Sequence, residues 1–526
     1  MSVIAQPTEV RLAELLSVLA LGADLGMGQP LDHAMRQCVL ASRIGDRLGL
    51  SQDDQAVLYY VSLIAWVGCH IDAYEQAKWF GDDLALKGGF RLVDPVGARA
   101  AAQILGQIGA GQHGLARAAV LARFVAGGVR DAKVMLDNHA YATEQLAMQL
   151  GLPAEVRDVV LQTFERHDGK GAPDGRRGDD IAVAARVVNF ADVLSVFYDA
   201  GGIDAAVDVA QQRSGTQFDP SLVELVAADA AAVFEDLDDA CRSDHVLAAE
   251  PGMGPGLSGE QLDAALEAVA DFVDLKSPYT LGHSRSVADL AGAAAAALSW
   301  ADADVTHVRR AALLHDVGRL GVSNAVWDKT APLSAAEAER VRLHPYLSDR
   351  MLASCQGLAA LGATASQHHE RLDGSGYPRG LRGDALTSAG RLLAVADTYA
   401  AKLEPRPHRA ALSADAAAAH LRAEATSGRL DGECVDAVLT AAGHRVGRRR
   451  EWPAGLTTRE VEVLRLLSRG LSNKQIAERL VISRKTVDNH VEHIYTKIGV
   501  SNRARASLFA SRHALMGPAE DGEFTP

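Results

Sequence analysis

The chain has 526 residues, of which 48% are hydrophobic and 23% charged, with a net charge of −14. That length exceeds one ordinary core, so roughly three domains are expected, and the composition is ordinary for a globular protein. Five cysteines (Cys38, Cys69, Cys241, Cys355 and Cys434) stand far apart with no Cys-x-x-Cys, which argues against a disulfide framework or a thiolate zinc site and fits a reducing compartment.

The N-terminal stretch MSVIAQPTEVRLAELLSVLAL carries Glu9, Arg11 and Glu14 among apolar residues. It reads as an amphipathic helix rather than a signal peptide. No run of about 18 uncharged apolar residues follows, so no membrane span and a cytoplasmic location are expected. Ala and Leu dominate, strand-like alternation is scarce, and helix-starting residues recur: Ser258, Ser334, and Thr457 or Thr458. The expected fold is all-α. Gly/Pro-rich AAEPGMGPGLSG (248–259) and the basic GHRVGRRREWPAG (443–455) mark breaks. The predicted order is a first domain over 1–245, a linker over 246–257 and a second domain over 258–442. A basic linker over 443–455, a third domain over 456–516 and an acidic tail over 517–526 complete it. Residues 445–515 hold 15 Lys/Arg against 6 Asp/Glu, leaving about −23 for the rest. A basic module on an acidic body points to a polyanion at the C-terminus alone.

The first two domains repeat each other. TFERHDGKGAPDGRRGDDI (163–181) and HHERLDGSGYPRGLRGDAL (368–386) share their frames at an offset of 205, as do His139 with His344, Arg186 with Arg391 and Asp192 with Asp397. Upstream the offset becomes 250, pairing His33 with His283 and Ala65-Trp66 with His315-Asp316. The first copy therefore has about 45 extra residues between 70 and 139.

In the second copy His283, His315, Asp316, His344, His368, His369 and Asp397 come from several helix-compatible stretches. Adjacent helical residues diverge by about 100°, so a His-Asp or His-His pair serves two neighbouring metals better than one. Imidazole and carboxylate donors suit Mn, Fe or Zn. Two metals about 3.5–4 Å apart can clamp a phosphate for in-line attack.

GHSRSVADLA, LLHDVGRLG, RLHP, HHERLDGSGYP and AVADTYA resemble the HD-GYP phosphodiesterases, a branch of the HD phosphohydrolases, over nearly all of 260–440. The resemblance implies an all-helical fold, a metal centre and hydrolysis of cyclic dinucleotides, chiefly cyclic di-GMP to pGpG or GMP. It implies terminal ligands at His283, His315, His344, His368, His369 and Asp397, a bridging Asp316, and a catalytic cation at Arg319. It also implies a substrate-lining loop of Gly376, Tyr377, Pro378 and Arg379. Four positions depart from the family pattern: Arg319 for Lys, Tyr279 for the Glu of three-metal members, and Ser286 and Ala400 for Arg and Asp. Two divalent ions are therefore expected, Fe or Mn first and Zn third. The departures keep open a transcription factor whose second domain senses metal and nucleotide without fast turnover.

In the first copy only His33, His139 and Asp192 remain, with Ala65, Trp66, Thr163 and Phe164 at four ligand positions. Trp66 and Phe164 are expected to fill the vacated site with apolar bulk, and His70 and His167 to be ordinary polar residues. This copy resembles a degenerate HD domain with a structural, dimerising or sensing duty.

Residues 456–510 show four short amphipathic helices, with a helix-turn-helix at 473–480 and 484–498. Ser472 and Ser483 suit N-caps and Gly470 and Gly499 suit helix ends. The stretch resembles the LuxR-type (GerE/NarL-like) DNA-binding domain, which implies contacts to double-stranded DNA from Arg484, Lys485, Thr486, Asn489 and His490. Lys474, Arg503 and Arg505 would add phosphate contacts. Acidic Asp488 and Glu492 on the recognition helix are expected to help choose sequence. Such domains bind two half-sites as dimers, so a homodimer is expected.

Overall fold

Helix starts follow the local signals. Ser334 and Glu337 cap each other's backbone N–H groups to begin Ala335–Arg342, and Thr457 and Glu460 do the same for Thr458–Ser468. Ser258 precedes Gly259–Asp274 but makes no side-chain cap bond. The computed structural model describes residues 9–124, 126, 129–251, 256–444, 452–480, 482–513 and 515. The fold is all-α: the only strands among the described residues are Val10–Arg11 and Gly256–Leu257, which pair antiparallel. No single described helix is long and apolar enough to cross a membrane.

The chain divides into two compact units, Met1–His444 and Arg445–Pro526. Both copies of the repeat lie in the first. His33–Arg47, Gln52–Ile64 and the short turn Val67–His70 correspond to His283–Ala297, Asp302–Leu314 and Val317–Gly321. Ala154–Val160 and the start of Val183–Gln212 correspond to Ala359–Ala365 and Ser388–Leu403. The longer stretch of the first copy between 70 and 139 holds Ala73–Phe80, Asp83–Phe90, Ala98–Gln107 and Gly114–Arg123, where the second copy has Asn324–Trp327 and Ala335–Arg342 before His344, and it has a small core of Trp79, Phe80, Ile108, Val120 and Phe124.

The expected amphipathic N-terminal helix, Leu12–Gly26, is buried on nearly all sides, Glu14 included. The helix lies between the copies: a Cβ at Gly22 would meet Leu320 of the second copy at 2.5 Å, and one at Gly26 would meet both Leu320 and His70. Glu14 escapes the cost of burial because its carboxylate accepts from the Arg11 and Gly357 N–H groups. His70, expected to be ordinary, also joins the copies: it is buried, and its Nε2 lies 2.7 Å from the Phe272 carbonyl oxygen.

In the second unit Asn473–Leu480 and Arg484–Ile498 form the helix-turn-helix. Val463, Leu464, Ile476, Val487 and Ile494 build its core, and Gly499, at φ 67°, ends the longer helix in the left-handed region.

Candidate metal centre

Three histidines are locked in one tautomer by the chain that carries them. The Nδ1 atoms of His315, His344 and His368 face the carbonyls three residues back: Ala312 at 2.6 Å, Val341 at 2.5 Å and Ala365 at 2.7 Å. A carbonyl accepts, so each Nδ1 carries the proton and each Nε2 offers a lone pair. His344 Nε2 and His368 Nε2 then stand 3.0 Å apart, and His315 Nε2 is buried with no hydrogen-bond partner. Lone pairs facing each other in a buried space repel unless a cation sits among them. These residues therefore fit a metal, and the N/O donor set without thiolate suits Mn, Fe or Zn.

Asp316 divides the group in two. Its Oδ1 lies 3.4 Å from His344 Nε2 and 3.7 Å from His368 Nε2. Its Oδ2 lies 3.5 Å from His315 Nε2 and 3.9 Å from His283 Nε2. Asp397 points Oδ1 at His283 (3.3 Å) and Oδ2 at His369 Nδ1 (3.7 Å). The clusters able to hold an ion are His283-His315-Asp397, His344-His368-His369 and His315-Asp316-His368. All seven sequence-derived ligand candidates thus converge.

Electrostatics agree with that grouping. Burial pushes the Asp316 carboxyl up, but His315, Arg319 and His344 together hold it well below the usual carboxylate range. Asp397 is likewise held low, chiefly by its bond to His283, against the effect of burial. Burial and neighbouring imidazoles lower His368 to about 3 and keep His369 well below its usual value. His283 moves the other way, to about 10: burial opposes the shift, but Asp397 and Glu404 outweigh it. Those carboxylates favour a cation at that corner.

Around the ligands, Arg319 Nη1 lies 3.1 Å from Asp316 Oδ2 while its guanidinium sits 3.9 Å from the Trp327 ring centre. Tyr377 packs on His369 with ring centres 4.8 Å apart, and burial pushes its phenol up. Arg379, expected beside substrate, is instead paired with Asp349, and its N–H goes to Glu370. The early Arg285 pairs with Glu267 and Asp271 and is not available as a stand-in at position 286. Sequence reading missed three supports. Glu404 holds His283 Nδ1 at 2.9 Å, Arg406 holds Glu404 at 2.7 Å, and Ser348 accepts from the Gly318 N–H and donates to the His315 carbonyl. The LEPRPHR run just after the last ligand helix was the available signal for the first two.

The loop phrase itself is scaffold in both copies. Glu165 accepts from the Asp174 and Gly175 N–H groups, and Glu370 from those of Arg379 and Leu381. A Cβ on Gly171 or Gly376 would come within 2.5 Å of the backbone of Glu165-Arg166 or Glu370-Arg371. Gln162 and Gln367 accept from the Ala182 and Thr387 N–H groups that open the next helices. At the ligand positions the copies part. Trp66 and Phe164 meet edge to face at 5.1 Å and His139 abuts Phe164 at 4.7 Å. His33 is held by Asp192 (2.9 Å) and Ser195 (3.2 Å). No metal-holding cluster occurs in this half among the described residues.

In the C-terminal unit Arg484, Lys485, Thr486, Asn489, Lys474 and Arg505 are exposed and His490 is half-buried. Arg503, expected at phosphate, donates from Nε and Nη2 to the Leu467 and Leu471 carbonyls. Asp488 accepts from Asn473 at 2.7 Å, tying the two helices of the motif together.

This fold and centre define an HD-domain phosphohydrolase. The chain matches the HD domain family over residues 129–222 and 267–434, and the bacterial regulatory proteins of the luxR family over 454–510. It is 32% identical over 434 residues to 3'3'-cGAMP-specific phosphodiesterase 3 of Vibrio cholerae, covering 82% of this chain and 94% of that protein. It is 36% identical over 177 residues to the cyclic di-GMP phosphodiesterase response regulator RpfG of Xanthomonas campestris, covering 33% of this chain and 46% of that protein. A crystal structure of a cyclic GMP-AMP specific phosphodiesterase of V. cholerae superposes with a TM-score of 0.58 at 27% identity, covering 83% of this chain and 99% of the other. The chain belongs to the HD-GYP family of cyclic dinucleotide phosphodiesterases and carries a C-terminal LuxR-type helix-turn-helix.

Proposed function

We propose that the second copy hydrolyses a 3',3'-linked cyclic dinucleotide with two divalent ions, Fe or Mn before Zn, and that the C-terminal unit binds double-stranded DNA. The observation that carries the reading is Asp316, whose two oxygens face different histidine sets. His283, His315 and Asp397 would hold one ion, and His344, His368 and His369 the other, with Asp316 between them. When bound, such ions act as Lewis acids and clamp the phosphate for in-line displacement. The chain's own residues do the rest. The carbonyl-fixed Nδ1 protons keep the Nε2 lone pairs directed inward. Arg319 offers a planar cation to a non-bridging phosphate oxygen, and Trp327 holds it flat. Tyr377 forms a wall beside His369.

The relative named for 3'3'-cGAMP aligns along both copies, whereas RpfG aligns over a third of the chain. That contrast puts 3'3'-cGAMP ahead of cyclic di-GMP as the first substrate to try. The function combines turnover with transcriptional regulation by a cytoplasmic homodimer. Full-length protein loaded anaerobically with Mn or Fe, given both dinucleotides, tests the reading. Metal-dependent release of linear product, faster for 3'3'-cGAMP, is expected. Metal binding without turnover of either would leave the second copy as a metal and nucleotide sensor for the DNA-binding unit.

A further inference from the structure

The longer connection of the degenerate copy, between 70 and 139, meets the other copy at one buried carboxylate. Asp83, fully buried at the start of Asp83–Phe90, accepts from Ser323 Oγ at 2.6 Å and from the Asn324 N–H at 2.8 Å. Those two groups open the helix Asn324–Trp327. Its Oδ2 has no hydrogen-bond partner and faces the ammonium groups of Lys276 and Lys87, each at 3.9 Å. Asn324 is equally buried and ties this corner to the stretch leading towards His283, donating to the Lys276 carbonyl (2.7 Å) and Asp328 (2.9 Å). One helical turn on stands Trp327. It lies under the Arg319 guanidinium at 3.9 Å, donates to the Arg319 carbonyl at 3.4 Å, and meets the His344 ring at 5.4 Å.

We propose that Asp83 is a positioning residue for the catalytic half, which acts through Trp327 to hold Arg319 against the phosphate site. Ser323 already caps its own helix by accepting from the Ala325 N–H, so Asp83 satisfies the donors this local cap leaves over. Removing Asp83 leaves the Asn324 N–H and the Ser323 hydroxyl buried without an acceptor, in the helix that carries the aromatic floor under Arg319. Arg depends on that floor because it is a planar, stacking cation. A Lys at 319 would be a compact point charge with little use for it. The degenerate half is thereby tied to the active half through a residue that its own copy of the chemistry never needed. The inference rests on the reading of Arg319 as the phosphate-facing cation.

A double-mutant cycle in the metal-loaded, full-length protein tests it. Asp83→Ala should lower kcat about tenfold, with KM and metal content unchanged. Asp83→Asn, which keeps the oxygen that accepts from Ser323 and Asn324 but drops the charge facing Lys276 and Lys87, should restore part of the loss. In an Arg319→Lys background the Asp83→Ala penalty should fall to less than about twofold. An equal penalty in both backgrounds would overturn the proposal and leave Asp83 a general stabiliser. Hydrogen exchange gives a readout that needs no turnover: Asp83→Ala should speed exchange about tenfold across 323–328, leaving 283–297 unchanged. Unchanged exchange at 323–328 overturns the proposal even if no dinucleotide is hydrolysed. Loss of activity reading alone, with the exchange effect intact, faults the substrate assignment and not this contact.

Discussion

The loops at 163–181 and 368–386 are built alike and sit beside opposite chemistry. In each a glutamate staples two backbone N–H groups and a glutamine holds the next helix. In one the two residues that open the phrase are His368 and His369, with lone pairs and carboxylates around them. In the other they are Thr163 and Phe164, and Phe164 is wedged against Trp66 and His139. Thr163 Oγ donates to the Val160 carbonyl at 2.9 Å, the same local anchor that His368 Nδ1 uses with Ala365. Residues that make the loop and residues that make the chemistry are separable, so a copy can lose its metal ligands while its backbone stays in register. Hydrophobic packing at Trp66–Phe164 takes over the cohesion that a metal would supply.

Matched substitutions sharpen the contrast. The largest effect is expected from Asp316→Ala, which should cut turnover at least about 100-fold. Its positional counterpart Trp66→Ala should leave metal content intact while costing about 3–5 kcal/mol of stability as a buried cavity, read as a shift in denaturation midpoint. If Trp66→Ala removed metal, the division of labour between copies would be wrong.

Acid should act on the first half next. Burial holds His139 at about 4 and His70 at about 3, against an ordinary 6.5. The unfolded chain takes up protons from 6.5 downward while folded His139 refuses them until about 4. Stability therefore falls as pH drops through that window, by on the order of 3 kcal/mol for His139 alone. His139→Gln should flatten that part of the curve in thermal melts. The smallest effects belong to the C-terminal unit. Thr457→Ala should lower its stability by about 1 kcal/mol. Lys485→Ala should weaken DNA binding across sequences and reduce the salt slope by about one.

The all-α fold, the offset repeat, the helix-turn-helix bounds and the seven converging ligand candidates were legible because each leaves a local mark: periodicity, capping residues, or histidines in pairs. What the sequence hid was long-range. Glu404 and Arg406 support His283 from about 120 residues away, and Asp83 reaches Ser323 across 240. The LEPRPHR run places Glu404 and Arg406 just after the last ligand helix, but nothing in an isolated acidic residue such as Asp83 announces its partner. The partners of Arg379 and Arg503 are hidden in the same way: nothing beside either motif marks that Asp349, or the Leu467 and Leu471 carbonyls, pair with them. The N-terminal stretch reads as amphipathic because Glu9, Arg11 and Glu14 stand among its apolar residues, yet two backbone N–H groups pair with the Glu14 charge inside the core.

Whether Asp316 organises two metals is decided by metal content per chain, measured on purified full-length wild type, Asp316→Ala and Trp66→Ala after loading with Mn or Fe and removal of excess. About two ions are expected in wild type and in Trp66→Ala, and at most about one in Asp316→Ala. Fewer than about one ion in wild type, or an unchanged content in Asp316→Ala, would contradict a two-metal centre built around that carboxylate.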